Sequence, residues 1–341
     1  MPARYRVIAR ELELLLRRSP GTEKLPTEAE LCRQYGCSRQ TIRSALHLLE
    51  EKGLIVRRRG SGSYPLRSAP AGRQIALVLA DKEEYTAPAL LRDIRKAAAE
   101  LGCTVACHET HGSVASEREL LQQLLARRPA GILMQPICDA FGSFNEDLQQ
   151  RLEQEQIGCI FLGSHTTAPC VHMDEESGAG LLAAHLSASG HKKVAAILKC
   201  DETRGIARLR ALTRALADAG MDFLPENCLF YTEQERLRLL DGDEALLRRF
   251  LQDYRGSCTA VICYGDEIAY RLLRFLRIER QETAIVSYDN SYLAREAAIT
   301  SLGPARETLG TAAVKLLSQI LEGRDAASIT LPQQLHVRKS G

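Results

Sequence analysis

The chain has 341 residues, 45% of them hydrophobic and 26% charged. That composition belongs to a folded globular protein of two or three domains and excludes a disordered chain. No run of 18 apolar residues occurs, so no membrane span is expected. MPARYRVIAR carries three Arg and no apolar core, so it does not read as a secretory leader. Eleven Cys without paired spacing point to reduced thiols and a cytoplasmic protein. The net charge of +2 is unevenly placed. Residues 1–72 hold 14 Lys+Arg against 7 Asp+Glu, and the remaining 269 hold 31 against 36. A basic head on a slightly acidic body points to a nucleic-acid module fused to something else.

Three helices are predicted in the head. Val7, Ile8, Leu12, Leu15 and Leu16 give the first an apolar face, and SPGTEKLP breaks it. Thr27 with Glu30 three residues on has capping-box spacing, so a second helix starts there and Gly36 ends it. Ser38 caps a third, RQTIRSALHLLEEKG, whose buried face is Ile42, Ala45, Leu46 and Leu49 and which Gly53 closes. LIVRRRGSGSYPL then reads as a hairpin. Three helices followed by a basic hairpin describe a winged helix-turn-helix. Its third helix enters the major groove with Arg39, Gln40, Thr41 and Arg43 at base edges. Arg pairs bidentately with guanine and Gln with adenine. The wing residues Arg57, Arg58 and Arg59 suit phosphate or minor-groove contact.

LRSAPAGR at 66–73 is small and Pro/Gly-containing and reads as a linker. Beyond it, short apolar runs alternate with amphipathic stretches. The expected strands are IALVLA (75–80), CTVAC (103–107), GILMQ (131–135), IGCIFL (157–162), KVAAIL (193–198), TAVICY (259–264) and TAIVSY (283–288). Continuous apolar strands between helices mean parallel sheets covered on both faces. Roughly 270 residues of this pattern exceed one open sheet, so two subdomains are expected. A cleft then forms at the carboxyl ends of the strands, where Asp81, Gln135, Ser164, Asp266 and Asp289 stand.

Two resemblances sharpen this reading. LPTEAELCRQYGCSRQTIRSALHLLEEKGLIVRRRGSGSY closely resembles the GntR-family DNA-binding domain: the LP-[ST]-E start, the G-x-SR-x-T-[IV]-R core and the R-x-G-x-G wing are all present. It implies DNA contacts at Arg39, Gln40, Thr41 and Arg43 and at the wing around Arg59 and Gly60. The chain departs from the pattern at Ala29, where many members carry Arg. GntR-type heads are fused to varied bodies. An aminotransferase-like body is too long and lacks its Schiff-base Lys here. The strand runs exclude the all-helical acid-binding body, and length and βα alternation argue against the small antiparallel one.

The fourth body fits. VHMDEESGAGLLAAHLSASGHKKVAAIL, RLRALTRALADAG, TAVICYGDEIAYRLLRFL, AIVSYDN, LGTAAVKLLSQILEG and ITLPQQLHVRKS resemble, in order, successive blocks of the LacI/GalR effector domain. That domain has the fold of type I periplasmic sugar-binding proteins. A GntR head on such a body is the architecture of arabinose-repressor-type regulators. The resemblance implies an effector-binding Arg at Arg208 and a ligand Asp at Asp289. Asp266 falls on an Asn-Asp pair whose Asn is here Gly265. Tyr85 in the first βα loop and His111 beyond the second strand are further cleft positions, with Gln135.

The expected organisation is a winged helix-turn-helix at 1–66, a linker at 67–73 and a Rossmann-like, periplasmic-binding-protein-like effector domain at 74–341. Its subdomains are expected at 74–189 with 291–321, and at 190–290 with 322–341. The expected function is a transcription regulator, a repressor, that binds operator DNA as a homodimer under control of a small polar effector, a carbohydrate by resemblance. The rival is an enzyme on a small polar metabolite carrying a DNA-binding appendage. No cofactor, metal or membrane partner is expected. Cys103, Cys107, His108 and His111 imitate a metal cluster, but Cys103 and Cys107 on one strand are ~13 Å apart, too far for a shared zinc. Ser164-His165 lacks a nucleophile elbow. Gly178 and Gly180 make no dinucleotide fingerprint.

Overall fold

The computed structural model describes residues 5, 7–9, 11–12, 25–51, 55–58, 62–65, 73–139, 142–164, 168–221, 223, 225–254, 256–279 and 283–341. The chain divides into two compact units, one of Met1–Arg73 with Glu322–Arg324 and one of Gln74–Leu321 with Asp325–Gly341.

In the N-terminal unit the described residues between 5 and 12 are helical, followed by helices Glu28–Tyr35 and Arg39–Glu51. Leu15, Leu16 and Gly53 lie outside the described residues. Thr27 and Glu30 form the capping box reciprocally, and Gly36 takes the left-handed conformation that ends the helix. The Ser38 Oγ accepts from the Thr41 N–H at 3.3 Å, starting the third helix. Ile42, Ala45, Leu46 and Leu49 pack against Ile8, Leu12, Leu31 and Ile55 in one core. Strands β1 (Ile55–Arg58) and β2 (Gly62–Pro65) pair antiparallel. The Leu25 N–H donates to Ser63 O at 2.9 Å, tying the hairpin to the start of the second helix.

The body holds two six-stranded sheets. The first contains β3 (Arg73–Leu79), β4 (Cys103–Glu109), β5 (Gly131–Met134), β6 (Cys159–Leu162), β7 (Cys170–Met173) and β13 (Ile329–Leu331), in the order β13-β7-β6-β5-β3-β4. The second contains β8 (Val194–Lys199), β9 (Cys228–Tyr231), β10 (Ala260–Cys263), β11 (Ala284–Tyr288), β12 (Thr300–Pro304) and β14 (Gln333–His336), in the order β14-β12-β11-β10-β8-β9. Apart from the antiparallel β12–β14 pair, the registers found are parallel. Alternate residues of one strand enter different cores. Ile75, Leu77 and Leu79 pack on one face of the first sheet, and Ala76 and Val78 on the other. The strands read as unbroken apolar runs because both faces are covered.

The expected subdomain boundaries need correction. Helix Glu175–Ala188 falls in the stretch assigned to the first subdomain, yet Ala179, Leu182, Ala183 and Leu186 pack with Val194, Leu212 and Leu216 on the second sheet. Residues 291–304 also belong to the second sheet, because β12 continues the parallel ladder from β11. Helix Leu309–Leu321 returns to the first sheet, through Ala313 and Leu317. Residues 329–331 stay there as β13, and β14 crosses back. The chain therefore passes between sheets three times: at Asp174, at 305–308 and at Pro332.

Candidate functional site

Each sheet has a topological switch point. β3 is flanked by β4 and β5, and β8 by β9 and β10. Loops leave such a point in opposite directions and open a crevice at the carboxyl ends of the strands. In this chain the two crevices meet. The Tyr85 hydroxyl, from the loop after β3, donates to the Asp289 carboxylate after β11. Cys138 Sγ, after β5, lies 3.5 Å from Thr203 Oγ1, after β8.

Arg208 is at the centre of the second-sheet side. Its side chain is 2% exposed. Nε donates to both Glu175 oxygens at 3.2 and 3.3 Å, one terminal nitrogen donates to Asp289 Oδ1 at 3.4 Å, and the other donates to the Tyr264 carbonyl. The guanidinium carbon lies 4.7 Å from the Tyr264 ring centroid and 4.0 Å from that of Tyr288. Cation–π contacts of this kind contribute roughly 2 kcal/mol or more when desolvated. Burial opposes the charge, yet Glu175 and Asp289 hold the guanidinium above its ordinary pKa. Arg208 gets there because helix Thr203–Asp218 starts close to β8. A Cβ on Gly205 would lie 1.8 Å from the Lys199 carbonyl oxygen.

Asp289 and Asn290 take left-handed backbone angles, φ 93° and 45°. Such angles are uncommon outside Gly, though Asp and Asn adopt them most readily, and they turn the chain sharply off β11. Asp266 holds that turn. It is fully buried, Oδ1 accepts from the Ser287 and Ser301 hydroxyls, and Oδ2 accepts from the Ser291 N–H at 2.6 Å. Burial, with the Asp289 charge, pushes its carboxyl up to about 6. Asp266, expected at the effector, here accepts from Ser287, Ser301 and Ser291 and so positions 287–291.

Gly265 stands where the resemblance expects Asn, and the structure fills that space from the opposite sheet. A Cβ at 265 would lie 2.8 Å from Asp289 Oδ2 and closer still to the Tyr85 hydroxyl. Burial, with the Asp289 charge, raises the Tyr85 pKa and keeps the phenol a donor. Beside it, burial pushes the Glu84 carboxyl up to about 7, against the pull of Arg236 and Arg204. Gln135 is half-buried just beyond β5, with its N–H on Val78 O, and His111 is exposed after β4. Neither makes a hydrogen bond or ion pair to Arg208 or Asp289, so the structure joins Tyr85, Arg208 and Asp289 and leaves these two apart. Ser164 is exposed after β6, and His165 lies outside the described residues. Among the described residues no His/Cys/Asp/Glu group is arranged to hold a metal, and no helix is long and apolar enough to cross a membrane.

Sequence reasoning missed Glu175, Tyr264 and Tyr288. The tyrosines had a signal. They end TAVICY and TAIVSY, where the strand-end rule that picked out Asp266 and Asp289 applies equally. Glu175 had none, because the helix it opens was assigned to the wrong sheet.

In the head, Arg39, Gln40 and Arg43 are exposed and Thr41 is partly buried, its hydroxyl 2.9 Å from Ser38 Oγ. Arg43 Nε donates to Glu28 Oε2 at 3.0 Å. Arg57 lies on β1, while Arg59 and Gly60 fall outside the described residues.

Residues 4–64 match the model for bacterial regulatory proteins of the gntR family. Residues 183–341 match that for the periplasmic binding protein-like domain. The chain joins a gntR-type helix-turn-helix to a periplasmic-binding-protein-like body. Curated relatives share both units. The arabinose metabolism transcriptional repressor of Geobacillus stearothermophilus is 29% identical over 322 residues, covering 90% of this chain and 87% of the relative. The protein of the same name from Halalkalibacterium halodurans is 26% identical, covering 88% and 84%. Among solved structures, the transcriptional regulator CelR–cellobiose complex aligns with TM-score 0.68 at 21% identity, over 93% of this chain and all of that one. The periplasmic binding protein/LacI transcriptional regulator from Alkaliphilus metalliredigens QYMF, complexed with D-xylulofuranose, aligns at 0.65 and 18%, over 79% and 99%. At these identities the structural likeness concerns the fold.

Proposed function

We propose that this protein is a transcriptional repressor whose hold on operator DNA is set by a small carbohydrate bound between the two sheets of its body. The observation that carries the reading is the convergence of Tyr85, Arg208 and Asp289, from both sheets, at the meeting of two switch points. A polyol needs donors and acceptors together. Arg208 donates, and the Tyr85 hydroxyl oxygen and Asp289 accept. Gln135 and His111, at strand ends of the first sheet, are assigned the rim of the same cleft. Two relatives spanning both units are named for arabinose metabolism, so a pentose is the proposed effector class and L-arabinose the first probe.

The head reads DNA through Arg39, Gln40, Thr41 and Arg43. Glu28 engages the Nε of Arg43, which steadies the side chain and leaves its two terminal nitrogens for the O6 and N7 of a guanine. Arg57, Arg59 and Gly60 of the wing are assigned to phosphates. A homodimer presents two such heads to a palindromic operator.

The test uses duplex DNA selected by the full chain from a random library. Arg43→Ala is expected to weaken binding to the selected site about 10- to 100-fold, the value of one bidentate base contact, while leaving L-arabinose binding as in wild type. Unchanged operator affinity at the same salt concentration would contradict the assignment.

A further inference from the structure

All three crossings between the sheets are joined by hydrogen bonds. The Asp174 N–H donates to Leu331 O at 2.9 Å, and the Ala305 N–H to Pro332 O at 2.9 Å. The Gln333 side chain, 8% exposed, completes the knot. Its Nε2 donates to the Asp174 carbonyl at 2.9 Å and to Glu175 Oε2 at 3.4 Å. Glu175 is the carboxylate that accepts from Arg208 Nε.

Gly178 shows how closely that amide is seated. A Cβ there would lie 2.5 Å from Gln333 Nε2 and 2.9 Å from its Cδ. Gly178 thus has a task unrelated to phosphate binding: it leaves room for the Gln333 amide against the first turn of helix Glu175–Ala188. One unbroken series of contacts runs from the crossings to the site: Gln333 to Glu175, Glu175 to Arg208, Arg208 to Asp289 and Asp289 to Tyr85 on the opposite sheet.

We propose that Gln333 and Glu175 are positioning residues for Arg208: the amide at the crossings orients the carboxylate, and the carboxylate fixes the guanidinium that faces the effector. The inference rests on the proposed effector role of Arg208 for its functional meaning, but the positioning itself is a property of the free protein. Glu175 touches Arg208 along its Nε edge, and Asp289 and the Tyr264 carbonyl take one terminal nitrogen each. Rotation of the carboxylate therefore turns the guanidinium plane. Gln333 makes no hydrogen bond with Arg208 of its own, so its influence passes through Glu175.

The experiment follows the Arg208 Nε–H resonance in full-length protein labelled at arginine nitrogen, assigned by its loss in Arg208→Lys. Gln333→Met removes the donor at equal length. Gly178→Ala displaces the amide without altering it. Both are expected to shift the resonance and speed its hydrogen exchange roughly tenfold, the scale of one weakened charge-assisted hydrogen bond. Glu175→Gln moves the signal further, and adding Gln333→Met to it changes nothing more, because the route is already cut. A general loosening of the fold would instead add in the double variant. An unmoved resonance in Gln333→Met and Gly178→Ala, or additive shifts with Glu175→Gln, overturns the proposal. Titration with L-arabinose separates it from the reading of the site. If the resonance behaves as expected but Arg208→Lys binds the sugar like wild type, the positioning stands and the effector assignment falls. If Arg208→Lys loses the sugar while the resonance ignores Gln333, the assignment stands and the positioning falls.

Discussion

Arg208→Ala is expected to keep its grip on operator DNA and lose its response to effector. Two consequences follow from one deletion. Effector oxygens lose their charged donor, at about 1.5–3 kcal/mol for a hydrogen bond to a charged group. The carboxylates of Glu175 and Asp289 also lose their shared cation in a site where Arg208 was 2% exposed. Breaking a buried ion pair from one side destabilises by about 3–5 kcal/mol. In a unit of this size each kcal/mol lowers the melting temperature by roughly 2–4 °C, so the body should melt roughly 6–20 °C below wild type. The head has its own core of Ile8, Leu31, Ile42 and Leu46, so DNA binding survives below that temperature. Arg208→Lys keeps a charge but not the fork, and should restore much of the stability without restoring the response. Calorimetric titration with L-arabinose and operator binding on the same preparations are the check. Wild-type sugar affinity in Arg208→Ala would show that the effector binds elsewhere.

Gly205→Ala is expected to be as damaging with a smaller chemical change. The added methyl group would sit 1.8 Å from the Lys199 carbonyl oxygen and 2.8 Å from its carbon. Both are backbone atoms at the end of β8, and no rotamer change can move them aside. The helix must back away, drawing Arg208 from Glu175 and Asp289. Overpacking against so rigid a neighbour should cost about 3 kcal/mol or more, the upper end of such substitutions. Denaturant unfolding and sugar titration measure the two losses together. Wild-type stability in this variant would mean that the helix does not start where the structure places it.

The head was legible almost residue by residue, because its signals are local. Thr27 with Glu30, Gly36 and Ser38 mark helix ends within a few residues of the groups they cap. Six of the seven expected strands of the body were legible for a different reason: burial on both faces leaves no polar alternation to blur them, while β4, at the sheet edge, buries only Cys103. Strands β7, β12, β13 and β14 escaped because CVHM, TSLGP, ITL and QQLH are short and mix polar residues into the run, and β9 because the apolar CLFY is only four residues long. The crossings escaped with them, since which sheet a strand joins is a property of its neighbours and not of its own residues. Arg208, Asp289 and Tyr85, which the structure brings together, had been singled out by position after strands and by resemblance. The opposite roles of Asp266 and Gly265 were not, because both depend on contacts between distant segments. Ser287, Ser291 and Ser301 donate to the Asp266 oxygens, and Tyr85 fills the space left at Gly265.

An energetic link between the cleft and the operator has a two-way signature. If a pentose changes operator affinity by some factor, operator must change pentose affinity by the same factor, about 5- to 150-fold for a typical coupling of ~1–3 kcal/mol. The direct measurement is a pair of titrations on the full-length protein: selected operator DNA with and without saturating L-arabinose, and L-arabinose with and without saturating operator. Weaker DNA binding is expected in the presence of sugar, with an equal factor in the reverse titration, and both effects are expected to be lost in Arg208→Lys. Tight sugar binding with a factor of one in both directions would contradict the link, leaving a sugar-binding body and a DNA-binding head that do not communicate.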